Sequence, residues 1–183
     1  LHGRTWRMVV NGTQRVRWSH FFGGFAVWGV INVISMAVGY VTDPGNFEFR
    51  FDAARFIPLV LVAVTMIPIQ SASEEFFFRG YLAQGVASWT GSRWWALVVP
   101  SVLFGLMHAA NPEVAQYGFW VMMPQYILMG AAFGLAALLD DGIEVAMGAH
   151  AANNLCGALL TTYEGAAIHT DALFMVRELN PMA

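Results

Sequence analysis

Residues 21–42 read FFGGFAVWGVINVISMAVGYVT, a run with no charged side chain that ends in the turn Asp43-Pro44-Gly45-Asn46. A bilayer core is roughly 30 Å thick and a helix rises about 1.5 Å per residue, so about twenty apolar residues cross it. The pattern recurs along the chain. Residues 56–73 and 114–139 carry no charge, while residues 94–112 and 145–163 carry one histidine each, His108 and His150. Turn chemistry at Thr90-Gly91-Ser92, Asn111-Pro112-Glu113 and Asp140-Asp141-Gly142 separates these stretches. The expected fold is all-α, a polytopic helical membrane bundle with five spans. It reads as one transmembrane domain over residues 1–183, with a motif-bearing core at 56–163. Because the chain opens at Leu1, further residues are expected before it. Pro58, Pro68, Pro100 and Pro124 fall inside the apolar stretches, where neighbouring helices can satisfy the freed carbonyls.

Composition agrees. Of 183 residues, 57% are hydrophobic and 11% charged, against about a quarter charged in soluble domains. The nine basic residues are all arginine and the net charge is -3, which excludes a nucleic-acid partner. A single cysteine, Cys156, excludes a disulfide scaffold or thiolate cluster. Arg4, Arg7, Arg15 and Arg17 precede the first span, so the positive-inside rule puts the N-terminus in the cytoplasm and the protein in the cell (inner) membrane. Counting spans then places Gly91 and Asp141 on the cytoplasmic side and the acidic tail outside. Trp18, Trp28, Trp89, Trp94, Trp95 and Trp120 read as interfacial belts. His20 and His169 read as border residues, and the Asn11-Gly12-Thr13 sequon carries no meaning on the cytoplasmic side.

Against this background, Ser73-Glu74-Glu75-Phe76-Phe77-Phe78-Arg79-Gly80 is out of place. Ionisable groups within the membrane are functional candidates. On a helix Glu75 and Arg79 stand at i, i+4, whereas Glu74 is turned about 100° away. Arg79 can hold Glu75 ionised, leaving Glu74 an environment of its own, and such a division pushes two acids toward different roles. The competing reading is an interfacial helix whose ion pair merely solvates one end.

Glu75 lies 16 or 17 residues before the Gly91-Ser92 turn and His108 the same distance after it. Two helical arms therefore reach one depth, roughly 25 Å from the turn. Phe104 sits one helical turn from His108, and His150 shares a helix face with Asn154. One membrane histidine is usually a helix contact or a pigment or haem ligand. Several polar groups in apolar spans should instead converge, because in lipid they must find one another. Asn111 and Asn153 neighbour these positions, but read as caps or turns.

Glu74-Glu75-Phe76-Phe77-Phe78-Arg79 fits E-E-x-x-x-R, Phe104 to His108 fits F-x-x-x-H, and His150 to Asn154 fits H-x-x-x-N. In this order, over residues 74–154, the chain resembles the CPBP family of CAAX prenyl proteases and bacteriocin-processing membrane proteases, also called Abi. The resemblance implies an intramembrane endopeptidase acting on a peptide or lipidated-protein substrate. Peptide hydrolysis needs an activated water and donors for the oxyanion. Glu74 is then the base and His108 shares the water. His150 and Asn154 are oxyanion donors, with Glu75, Arg79 and Phe104 in support. Two histidines and two carboxylates make zinc the rival. No histidine pair stands at i, i+4, Arg79 repels a divalent cation, and an amide is a poor zinc ligand, so no metal is expected. Two other functions are weighed. One is a catalytically silent subunit of a larger membrane-protein complex, packing pigments or partners through small-residue faces such as Gly130-Ala131-Ala132-Phe133-Gly134. The other is a transporter-like or immunity protein that binds without cutting.

Overall fold

The computed structural model describes residue 3, residues 5–13 and residues 15–178; Leu1 and Arg4 lie outside the described residues. A short helix α1 (Trp6–Asn11) leads to α2 (Trp18–Thr42). Helix α3 (Ala53–Glu75) runs without interruption into a π-helical segment (Phe76–Leu82) and then α4 (Ala83–Thr90). The Gly91 turn leads to α5 (Arg93–Met107), followed by α6 (Pro112–Tyr117), α7 (Phe119–Leu139) and α8 (Glu144–Leu159). Local chemistry sets several boundaries. The Ser92 hydroxyl accepts from the Trp95 N–H and the Asp52 carboxylate from the Ala54 N–H, capping α5 and α3. Gly91 ends α4 at φ 66°, a left-handed conformation that glycine adopts without strain. The helices continue through all four prolines.

The membrane bundle is as the sequence indicates, but the five charge-free stretches are not five equal spans. Among the described residues, three helices are long and apolar enough to cross a membrane: α2, the continuous helix 53–90, and α7. Helix α5 is apolar but shorter. Helix α8 is the central one, burying Glu144, Ala146, Gly148, Ala149, His150, Ala151, Ala152, Leu155 and Ala158. Its partners, α2, α3 and α7, surround it and carry the lipid-facing apolar side chains. A small sheet with no signal in the sequence consists of β1 (Phe47–Phe49), β2 (Thr161–Tyr163) and β3 (Phe174–Val176), in the order β1-β3-β2. β3 pairs antiparallel with β1 and parallel with β2, tying the chain after α2 to the chain after α8. At that end Tyr163 donates to Glu113 at 2.9 Å. Burial and the neighbouring Glu113 carboxylate push the Tyr163 phenol up.

The opposite end is locked by charge. Arg17 lies 2.7 Å from both Asp140 and Glu144, the Asn11 amide donates to Glu144, and His20 Nδ1 is 2.7 Å from Asp140. The Ile143 N–H donates to the Val10 carbonyl at 2.9 Å, so the N-terminal segment seals the α7–α8 turn. His20 is thus held against the Asp140 carboxylate, and Asn11 of the sequon is committed to a buried carboxylate. A cavity of about 420 Å³ at this end is lined by Asn11, Gln84, Arg93 and Asp141, with Arg79 in its wall. The N-terminal segment, the Gly91 hairpin and the Asp141 turn therefore share one end.

Two expectations need correction. Trp28 is not at a membrane border; it lies within α2, packs on Phe133 at 5.3 Å between ring centroids and donates to Asn153 at 3.2 Å. The Gly130–Gly134 face is not free for an outside partner. A Cβ at Gly130 would lie 3.0 Å from the Ser101 carbonyl oxygen, and one at Gly134 2.7 Å from a Leu97 methyl, because α7 uses this face to approach α5.

Glycine likewise permits the α2–α8 contact. A Cβ at Gly148 would lie 1.9 Å from the Phe21 carbonyl oxygen, whereas one at Gly23 meets nothing within 4 Å. Gly148→Ala must push backbone against backbone, an overpacking that typically costs about 1–3 kcal/mol. Thermal melts in detergent are expected to show a clear loss for Gly148→Ala and none for Gly23→Ala; equal melting of the two would contradict this packing.

Candidate active site

Four charged or titratable side chains, from the continuous helix 53–90 and from α8, meet at the centre. Glu74 and Glu75 end α3, Arg79 lies in the π segment, and His150 comes from α8. In the π turn the Ala83 N–H bonds to the Phe78 carbonyl five residues back. Such widened turns are frequent at functional sites. Arg79 nonetheless reaches back one turn, Nη1 to Glu75 Oε1 at 2.9 Å. Its Nη2 donates to the Gly130 carbonyl of α7 at 2.7 Å. His150 Nδ1 also lies 2.7 Å from Glu75 Oε1. Glu75 is fully buried, with His150 at 3% and Arg79 at 5% exposure. A carboxylate so placed requires compensating partners, and here it has two.

Glu74 is set differently. It is half-buried, its Oε1 accepts from the Gln70 amide, and its buried Oε2 accepts no hydrogen bond from the protein. His150 Nε2 is 3.9 Å from that oxygen. The adjacent acids thus have separate environments, in keeping with their 100° offset.

Phe104 is the spacer between this cluster and His108. Its buried ring lies 4.6 Å from the Arg79 guanidinium carbon, 5.7 Å from the His150 ring and 4.7 Å from the His108 ring. The equal depth of the two arms of the Gly91 hairpin is visible in Phe78, which meets Phe104 at 5.4 Å. His108 Nδ1 donates to the Phe104 carbonyl at 2.7 Å, because a carbonyl only accepts. Nε2 is then the ring nitrogen not engaged in that bond. Tyr126 stacks on the other face of His108 at 4.7 Å and 19°, and its hydroxyl accepts from Asn111 at 3.1 Å. His150 is stacked at 4.9 Å on Phe133.

Asn154 enters through a directed chain. Trp28 Nε1 donates to Asn153 Oδ1, Asn153 Nδ2 to Asn154 Oδ1, and Asn154 Nδ2 to Gln70 Oε1, each at 3.2 Å. The Gln70 amide then donates to Glu74. Indole can only donate, so the Trp28 end fixes the direction of every amide that follows. Asn154 must present its NH₂ to the site.

The fold brings together Glu74, Glu75, Arg79, His150 and Asn154 in one hydrogen-bonded and ion-paired group, with Phe104 and His108 joined to it by ring contact. Sequence reasoning misses Gln70, Trp28, Tyr126 and Phe133 as members of the site, and marks Asn153 only as a neighbour of the motifs. Gln70 was open to detection, standing at i−4 from Glu74 within a charge-free span. Asn153 is a link in the amide chain rather than a cap, and Asn111 braces Tyr126. His169 is exposed and remote from these contacts. Among the described residues, no three His, Cys, Asp or Glu side chains are disposed to hold a metal ion.

Arg79→Ala would leave Glu75 buried with only a histidine, and breaking one side of such a pair typically costs about 3–5 kcal/mol. Arg79→Ala is expected to melt well below Glu74→Gln in detergent; the reverse order would contradict the assignment of Glu75 as the structural acid.

A relative from Bacillus subtilis (strain 168), the uncharacterized protein YyaK, is 30% identical over 181 residues, covering 98% of this chain and 60% of its own length. The chain therefore spans about 60% of that relative. No solved structure matches. A profile of type II CAAX prenyl endopeptidase Rce1-like proteins matches residues 54–156, which contain every one of the three motifs. The chain belongs to the Rce1-like family of type II CAAX prenyl endopeptidases.

Proposed function

We propose that the protein is an intramembrane endopeptidase in which Glu74 activates the attacking water, with the N-terminus cytoplasmic and a peptide or lipidated protein as substrate. One observation carries this reading: Arg79 and His150 both lie within 2.9 Å of the fully buried Glu75, whereas the half-buried Glu74 has only the Gln70 amide on Oε1 and His150 Nε2 at 3.9 Å from Oε2. Glu74 is the acid left able to take a proton. His108 helps orient the water, and the proton that Glu74 takes from it is relayed through His108 to the leaving amine. Asn154 Nδ2 is one oxyanion donor. His150, whose Nε2 is turned toward Glu74 at 3.9 Å, is the second.

Supporting this reading is the division of labour between adjacent acids, which a purely structural ion pair does not require. Cleavage of an S-prenylated CAAX peptide by protein in lipid nanodiscs tests it. Glu74→Gln is expected to slow hydrolysis by about 10²–10⁴, the usual worth of a general base. It should leave the melting temperature nearly unchanged. Loss of the Asn154 donor in Asn154→Ala is expected to lower kcat by about 10²–10³. Retention of activity in Glu74→Gln would overturn the mechanism.

The mechanism also needs no metal. Activity is expected to survive exhaustive chelation. One equivalent of zinc whose removal stops cleavage, and whose return restores it, would replace the glutamate-activated water with a metal-bound one.

A further inference from the structure

The Gln70 carboxamide makes a distinctive pair of contacts. Its oxygen accepts from Asn154 Nδ2 at 3.2 Å, and from the Ser71 hydroxyl at 3.3 Å. Its nitrogen donates to Glu74 Oε1. The orientation is chemically fixed, because Asn154 is held donor-first by the Trp28–Asn153 chain and so meets the Gln70 oxygen, leaving the Gln70 nitrogen for Glu74. A primary carboxamide therefore faces the oxyanion donor with its oxygen and the base with its nitrogen. A scissile peptide bond has the same two ends. Its carbonyl oxygen must reach Asn154, and its nitrogen must leave on the side of Glu74, from which the proton is relayed to it.

We propose that Gln70 is an internal stand-in for the scissile amide, which a substrate must displace to engage Asn154 and Glu74. The inference rests on the hydrolytic reading above for its assignment of those two residues. It gives Gln70 a place in substrate entry. In the resting protein Asn154 Nδ2 and Glu74 Oε1 are paired within the chain, and only a substrate with an amide correctly oriented between them exchanges one set of hydrogen bonds for an equivalent one. A lipid chain without such a group cannot displace the glutamine favourably, since it would leave the Asn154 donor and the Glu74 acceptor unpaired. The device thus selects for peptide within an apolar environment.

The test uses the full chain in lipid nanodiscs and, as probe, an S-farnesylated CAAX peptide with the α-carbon on the carbonyl side of the scissile bond replaced by nitrogen, an aza-peptide that keeps both the carbonyl and the N–H and resists cleavage. Gln70→Ala removes the competitor and is expected to bind the probe about three- to tenfold more tightly, the range set by one competing hydrogen bond. In the native chain, the Gln70 side-chain ¹⁵N amide resonance, assigned by its absence in Gln70→Ala, is expected to move on saturation with the probe. If Gln70→Ala fails to fold by thermal melting, Gln70→Met, which keeps the bulk without the hydrogen bonds, takes its place. No gain in affinity, or an unmoved resonance with the probe bound, overturns the displacement. Cleavage of the ordinary peptide separates this from the underlying reading. A variant that gains affinity while neither protein cleaves sinks the hydrolytic assignment and leaves displacement standing. A variant that cleaves with lowered kcat and unchanged KM does the opposite.

Discussion

A carboxylate cannot be carried into the middle of an apolar bundle without partners, and Glu75, with no exposed surface, is such a carboxylate. Its two partners come from two places in the chain: Arg79 from the next turn and His150 from α8. Arg79 in turn donates to the Gly130 carbonyl in the interior of α7. One buried charge therefore fixes the mutual position of α3, the π segment, α7 and α8. Each of these contacts is a condition for tolerating the charge at all, so the arrangement admits few alternatives. Around that fixed point the rings of Phe78, Phe104 and Phe133 surround the Arg79 guanidinium at 4.6–5.8 Å. They exclude lipid and supply the cation with aromatic faces.

The central place of α8 follows from small side chains. A helix rich in alanine and glycine, with Glu144, His150, Asn153 and Asn154 among them, would be a poor choice to face hydrocarbon. Surrounded by α2, α3 and α7, the same composition becomes an advantage. Backbones approach until a Cβ on Gly148 would strike the Phe21 carbonyl, and its polar side chains find protein partners. Such close approach substitutes for the hydrophobic driving force that is missing between helices in lipid. The long apolar helices take the lipid-facing duty, and α8 is left free to carry chemistry.

Much of this was legible from residues alone. The bundle could be read because charge-free stretches of spanning length, repeated along one chain, are hard to place anywhere but in lipid. The Glu74/Glu75 distinction could be read because helical rotation separates neighbours by a fixed angle, and it survives the π segment since that begins after both acids. The hairpin depth that aligned Glu75 with His108 appears as the Phe78–Phe104 contact. What could not be read depends on tertiary approach. Nothing local says that Trp28 turns inward to Asn153 rather than sitting in an interfacial belt. Nothing local says that Gly130 and Gly134 are spent on α5, or that residues 47–49 and 174–176 meet in a sheet. Gln70 was an omission of a different kind, since its i−4 spacing from Glu74 was in plain view.

The amide chain bears on why this site should be read as chemistry and not as glue. Polar groups that merely bind helices together in a membrane need only be satisfied, and a hydrogen bond in either direction serves. The Trp28–Asn153–Asn154–Gln70–Glu74 chain has one allowed direction because the indole at its Trp28 end can only donate. Direction is what an oxyanion site requires: an NH₂ held toward the point where negative charge develops, at no reorganisation when it does. The same chain has a second property. Its final link, Asn154 to Gln70 to Glu74, is the part where the two motif residues are joined only through another side chain. Everything upstream of Asn154 can stay in place while that one side chain moves. The rigid part of the network thus ends where the site begins.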